Sequence, residues 1–158
     1  MKHMNASTEK TLARRATELG NSADPQALPE LLELSKSVSP LVRRLAASGL
    51  GKLAGIVTSA PAVEALHPLL RDEHPQVRQY AAKALGAYGA AARAVLPDLR
   101  DLYANPAERD YVKRSVLAEV KMIRSSSDIS EAAPCPLRKV RPARPLSSDS
   151  RPCPSSSW

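Results

Sequence analysis

Val42, Val77 and Val112 stand 35 residues apart, and the residues around each of them recur at the same spacing. A period in this range signals a stack of similar units, because one such unit cannot bury its apolar face alone. The recurrence is plainest between Pro40-Leu-Val-Arg-Arg-Leu-Ala-Ala-Ser-Gly-Leu-Gly-Lys-Leu-Ala-Gly55 and Pro75-Gln-Val-Arg-Gln-Tyr-Ala-Ala-Lys-Ala-Leu-Gly-Ala-Tyr-Gly89. A degenerate third copy follows in Tyr111-Val-Lys-Arg-Ser-Val-Leu-Ala-Glu-Val120. The spacing also aligns Ala46, Ala81 and Val116, then Ala47, Ala82 and Leu117, then Leu50, Leu85 and Val120. With the valines these positions fall at i, i+4, i+5 and i+8, an apolar stripe of helical period.

A second apolar segment precedes each copy, at residues 27–34, 65–72 and 95–102. Each is predicted to carry its proline (Pro29, Pro68, Pro97) near a helix start, where a missing N–H costs nothing. The unit is therefore helix A, a short turn and helix B. Pro40 and Pro75 belong in the first turn of helix B, and Asp24-Pro25 reads as an N-cap with Pro at the first helical position. Gly55 and Gly89 fall where B helices should stop. One further helix is predicted over about residues 8–19. Leu12, Ala16 and Leu19 share its inner face, Gly20 ends it, and it caps the first repeat. Composition agrees with close helix packing. Aromatic residues make up 3% of the 158 residues and Phe is absent, so core volume must come from Leu, Val and Ala. No apolar stretch is long enough for a bilayer.

The Val-Arg-x-x-Ala-Ala-x-x-Leu-Gly stretch, present at Val42–Gly51 and again at Val77–Gly86, resembles HEAT repeats. It is closest to the bacterial HEAT-like repeats named after phycobilisome lyases. The resemblance covers about residues 24–124. It implies an all-α, right-handed α-solenoid of about three HEAT-like helix pairs, with the N-terminal capping helix ahead of them. The expected organisation is a disordered or tag-derived segment over 1–7, repeats at about 24–55, 61–89 and 92–124 within a domain of 8–124, and a disordered tail over 125–158. It further implies that Arg43, Arg78 and Lys113 are ladder residues that pair with an acid of a neighbouring turn, Asp72 among them, and hold the repeats in register.

The family includes di-iron hydroxylases whose ligands are His-Glu pairs directly after Val-Arg. Here those positions are Arg44-Leu45, Gln79-Tyr80 and Arg114-Ser115. Arg offers iron no lone pair, and Glu73-His74 stands alone before the motif. His3, His67 and His74 lack the spacing of a compact zinc site. No Gly-rich phosphate loop and no Gly-x-Ser-x-Gly elbow occurs. With four Tyr and one Trp, the chain is poorly equipped for the pigment groove of a bilin lyase or the base platform of a HEAT-like glycosylase. Tyr80 and Tyr88 read as packing or surface residues. No catalytic residue, metal ligand or cofactor is therefore predicted, and an accessory lyase for a tetrapyrrole or metal centre is the least favoured role.

Charge separates the two helix sets. Residues 27–36, 62–73 and 94–103 of the A segments carry seven acids and three bases. Residues 40–55, 75–89 and 111–124 of the B segments carry nine bases and one acid, Glu119. In HEAT arrays the B helices line the concave face, so the resemblance implies a basic concave surface. Once the ladder residues are set aside, Arg44, Lys52, Lys83, Arg114 and Lys121 remain as the candidate partner-binding residues. Arg44, Lys83 and Arg114 are expected to form a row across all three repeats. A surface of this kind takes an anionic partner. The leading expectation is a non-enzymatic scaffold or adaptor that binds an acidic or extended protein segment. A nucleic-acid-binding module on the same face is the alternative. Homodimerisation through an exposed end is open but not indicated.

Residues 125–158 hold ten Ser and six Pro and lack periodicity, the composition of a segment without a packed core. Both cysteines, Cys135 and Cys153, fall there. The first residues form no apolar leader. Together these point to a reducing, cytoplasmic setting with no membrane partner.

Overall fold

The computed structural model describes residues 5–128. Of the segments expected to be disordered, 1–7 and 125–158, residues 1–4 and 129–158, with both cysteines, lie outside the described residues; the rest is ordered, since Asn5 caps α1, Ala6 and Ser7 open it, and 125–128 continue α7. The helices are α1 (Ala6–Ser22), α2 (Leu28–Leu34), α3 (Pro40–Lys52), α4 (Ser59–Leu69), α5 (Pro75–Ala87), α6 (Leu96–Ala104) and α7 (Asp110–Asp128). Short 3-10 turns cover Pro25–Ala27 and Gly89–Val95, and no strand occurs among the described residues. In one layer α1 packs on α3, α3 on α5 and α5 on α7. In the other, α2, α4 and α6 pack on α3, α5 and α7 in turn. This is an all-α, HEAT-like solenoid of stacked helix pairs.

The expected stripe forms the core. Val42, Val77, Val112, Ala46, Ala81, Val116, Ala47, Ala82, Leu50 and Leu85 are all fully buried, joined by Leu31, Leu66 and Leu99 from the A helices. Leu117 departs from the pattern, and Val120 is only partly buried. Leu117 is 40% exposed, because no helix packs beyond it among the described residues, whereas Ala47 and Ala82 lie under the helix that follows.

The local stops and starts follow their chemistry. Pro40 opens α3 behind Ser39, whose hydroxyl accepts the Val42 N–H. Asp24 accepts the Gln26 N–H ahead of Pro25. Gly55 and Gly89 take positive φ just past the B helices. Pro68 does not open its helix. α4 begins at Ser59, so Pro68 lies in its last turn, where the chain is already tightening into i→i+3 bonds from Leu70 to His67 and Arg71 to Pro68. At the far end α7 runs past Arg124 to Asp128, with Ile123 buried within it.

Gly20 does not end α1. The helix continues to Ser22, and Ala23 takes the left-handed capping conformation. Gly20 instead permits close packing. A Cβ built on it would come 2.6 Å from the Gly49 Cα. Ala16-x-x-Leu19-Gly20 in fact repeats the Ala-x-x-Leu-Gly of Ala47–Gly51 and Ala82–Gly86, so α1 is a fourth B helix rather than an unrelated cap. The B–B seams form a series. Gly20 meets Gly49, Gly51 meets Ala84, and Gly86 meets Glu119. The last pairing is the poorest fit. Burial pushes the Glu119 carboxyl above its ordinary value, with the Lys83 charge opposing in part. A carboxyl whose folded pKa is raised loses stability as pH rises through it. Glu119→Ala restores the small residue of the middle seam, and a gain of about 0.5–2 kcal/mol is expected at neutral pH. Thermal unfolding would check it, and the gain should shrink on acidification as Glu119 takes up its proton.

Candidate functional site

The ladder residues and the other basic residues of the B helices lie on different surfaces. Arg43 sends Nε and Nη2 to the two carboxylate oxygens of Asp72, at 2.6 and 2.9 Å. Its Nη1 donates to the carbonyls of Ser37 and Val38. Arg78 does the same one repeat later. Nε and Nη2 reach Glu108 at 2.6 and 2.8 Å, and Nη1 reaches the carbonyls of Asp72 and Glu73. Each guanidinium thus ties its own turn to the next one by a two-pronged bond. Burial pushes the Asp72 and Glu108 carboxyls up. The arginine hydrogen bonds, a backbone N–H from His74 or Arg109, and nearby positive charge outweigh it and hold both below the ordinary range. Glu108 was not among the sequence candidates. It falls one residue beyond the 35-residue counterpart of Asp72, and an acid within one position of that spacing is the signal that would have found it. Lys113, the third ladder position, makes no ion pair among the described residues, although its charge acts on Glu108.

The other surface runs along α3 and α5 around Tyr80. There the Arg44 guanidinium lies 5.7 Å and the Lys83 ammonium 5.5 Å from the centre of the Tyr80 ring. Tyr80, Lys83, Lys52, Ser48, Gly51, Ala84 and Ala87 line a shallow groove of about 200 Å³. Small residues at Gly51 and Ala84 let α3 and α5 approach, which brings the cations of both helices to one ring. Arg44 also donates to Gln76 on α5 at 3.1 Å, and Lys52 donates to Asn21 on α1 at 2.6 Å. Tyr88 plays a different part. It is buried and donates its hydroxyl to the Leu50 carbonyl, and burial pushes its pKa up to about 12.

The structure therefore brings Arg44, Lys52 and Lys83 together and places Arg114 elsewhere. Arg44 and its counterpart Gln79 both reach toward the next B helix, to Gln76 and Ser115. At Arg114 there is no next helix among the described residues. It lines a separate groove with Tyr103, Asp110, Lys113 and Leu117. Lys121 is exposed on α7 and lines neither. The expected row across three repeats is thus a cluster on two helices, with Arg114 apart from it.

On the A-helix side Asp98 accepts from His67 and Arg71, and these two bonds hold its carboxyl below the ordinary value. Glu73 and His74 sit in the turn before α5. Among the described residues no three His, Cys, Asp or Glu side chains are grouped to hold a metal ion, and no helix is long and apolar enough to cross a membrane.

No curated protein matches the chain. Residues 53–121 match the family model of HEAT repeats. That stretch begins just past α3 and runs into α7; it includes Tyr80 and Lys83, while Arg44 and Lys52 lie ahead of it on α3.

Proposed function

We propose that the chain is a non-enzymatic interaction module whose B-helix face holds an acidic, extended protein segment. The observation that carries this is the Tyr80 ring flanked by Arg44 and Lys83, with Lys52 in the same groove. A carboxylate can pair with either cation while its neighbour side chain packs on the ring, which is what a segment mixing acidic and apolar residues requires. The groove is small and lacks a nucleophile–base pair, which fits recognition better than turnover. The repeated Val-Arg-x-x-Ala-Ala-x-x-Leu-Gly motif supports placement in the phycobilisome-lyase-type branch.

One observation favours nucleic acid as a second reading: an aromatic ring between cations also serves as a stacking platform for single strands. The discriminating experiment is fluorescence anisotropy with a labelled ten-residue Glu/Leu peptide and with a labelled oligothymidylate. The peptide should bind more tightly, and Arg44→Glu with Lys83→Glu should weaken it by about tenfold or more while leaving the fold intact. Tighter binding of the oligonucleotide, with a steep salt dependence, would replace the first reading by the second.

A further inference from the structure

Each B helix turns one stripe of residues toward the B helix that follows. On α3 the stripe is Arg44, Ala47 and Gly51, facing Gln76 and Ala84 of α5. On α5 it is Gln79, Ala82 and Gly86, facing Ser115 and Glu119 of α7. The same register on α7 gives Arg114, Leu117 and Lys121. The small residues that admit a neighbouring helix on α3 and α5 are replaced on α7 by Leu117 and Lys121, while Arg114 keeps the long side chain of its position. A further helix in the repeat's own close register would meet the Lys121 side chain where Gly51 and Gly86 leave room. Leu117 is nonetheless 40% exposed, and Tyr103 of α6, 44% exposed, shares its groove of about 400 Å³. Lys113 and Arg114 line that groove without an ion pair among the described residues, against one acid, Asp110. α1, at the other end of the stack, exposes polar residues such as Lys10, Arg14 and Glu18. The two ends are chemically unlike.

We propose that this outer face of α7 is a second docking surface, distinct from the Tyr80 groove, and that its occupant is an acidic amphipathic helix of another protein. Charge decides among the candidates. A second copy would bring the same cations face to face, and residues 129–158 carry five bases and two acids. The interior seams show what the ladder position accepts: a carboxylate just before a helix, Asp72 ahead of α5 and Glu108 ahead of α7. Arg114 and Lys121 are separated by seven residues, about 10 Å along the helix, with Leu117 between them. A partner helix therefore matches when two acids seven residues apart flank an aliphatic residue, which seats between Leu117 and Tyr103.

The test uses a synthetic eighteen-residue alanine-based helix carrying Glu at i and i+7 and Leu at i+3 and i+4, titrated into the full chain by calorimetry. Micromolar binding is expected. Leu117→Ser, and separately Arg114→Glu with Lys121→Glu, should each weaken it by about tenfold. Arg44→Glu with Lys83→Glu should leave it unchanged, which separates this surface from the one proposed above. Circular dichroism and sedimentation on every variant report fold and mass, and Leu117→Ser keeps the charges intact if the double reversal unfolds. The proposal falls if the peptide fails to bind by about 1 mM, or if the flank variants leave its affinity unchanged. It also falls if the wild-type chain is a dimer that Leu117→Ser converts to monomer, since the occupant is then a second copy.

Discussion

Arg78→Met is expected to cost about 3–5 kcal/mol, because it strands a buried carboxylate. The Glu108 side chain is 1% exposed and accepts both prongs of the Arg78 guanidinium. Methionine conserves most of the packed stem, so the loss measured is chiefly that of the charge and of the bonds to the carbonyls of Asp72 and Glu73. Pairing the change with Glu108→Leu should recover much of the loss, since an apolar pair of similar volume removes both desolvation penalties. If the double variant is no more stable than Arg78→Met, the arginine acts through its carbonyl bonds and not through Glu108. Acid provides a second readout. Asp72 and Glu108 have folded pKa values below their ordinary ones. The unfolded chain therefore binds more protons in that window, and stability rises with pH there. The contribution is complete above the ordinary carboxylate range, about 4, and is lost as pH falls through the folded values. The double variant should show a shallower acid transition than the wild type.

Gly20→Ala is expected to destabilise the chain although it places a better helix former inside α1. Propensity alone would return about 1 kcal/mol. The new Cβ would stand 2.6 Å from the Gly49 Cα, which is backbone and cannot swing aside. To relieve it, α1 and α3 must separate along the seam that buries Ala13, Ala16 and Leu19. Overpacking of this kind costs typically about 1–3 kcal/mol, and because the neighbour is backbone the cost falls in the upper part of that range, so a net loss of up to about 2 kcal/mol follows. Chemical denaturation measures it. An unchanged or raised midpoint would mean that the two helices slide freely, and that α1 is an appendage rather than the first member of the B layer.

The two substitutions act on features that were unequally legible. The repeat period, the stripe from Val42 to Leu50, and the Pro and Asp signals at the helix starts are local or periodic, and a single chain displays them without reference to its folded neighbours. Arg43 and Arg78 were legible as ladder residues through family resemblance, but Glu108 was not, because the third turn shifts the acid by one residue. Gly20 was misread for a similar reason. Seen along the chain, a glycine at the end of a short apolar run looks like a stop. Across the seam it is the place where one helix backbone touches another.

The sequence by itself determined the helix pairs, their order and which face of each helix is apolar, since those depend on spacing within a segment. The tertiary structure alone decided which cations share a neighbour. Arg44 and Lys83 lie on different helices 39 positions apart and meet at the Tyr80 ring, while Arg114, equivalent to Arg44 by spacing, faces outward beside Lys113 and Leu117. Position within a repeat is set by local periodicity. Exposure is set by whether another repeat follows, a non-local fact that no window of the sequence contains.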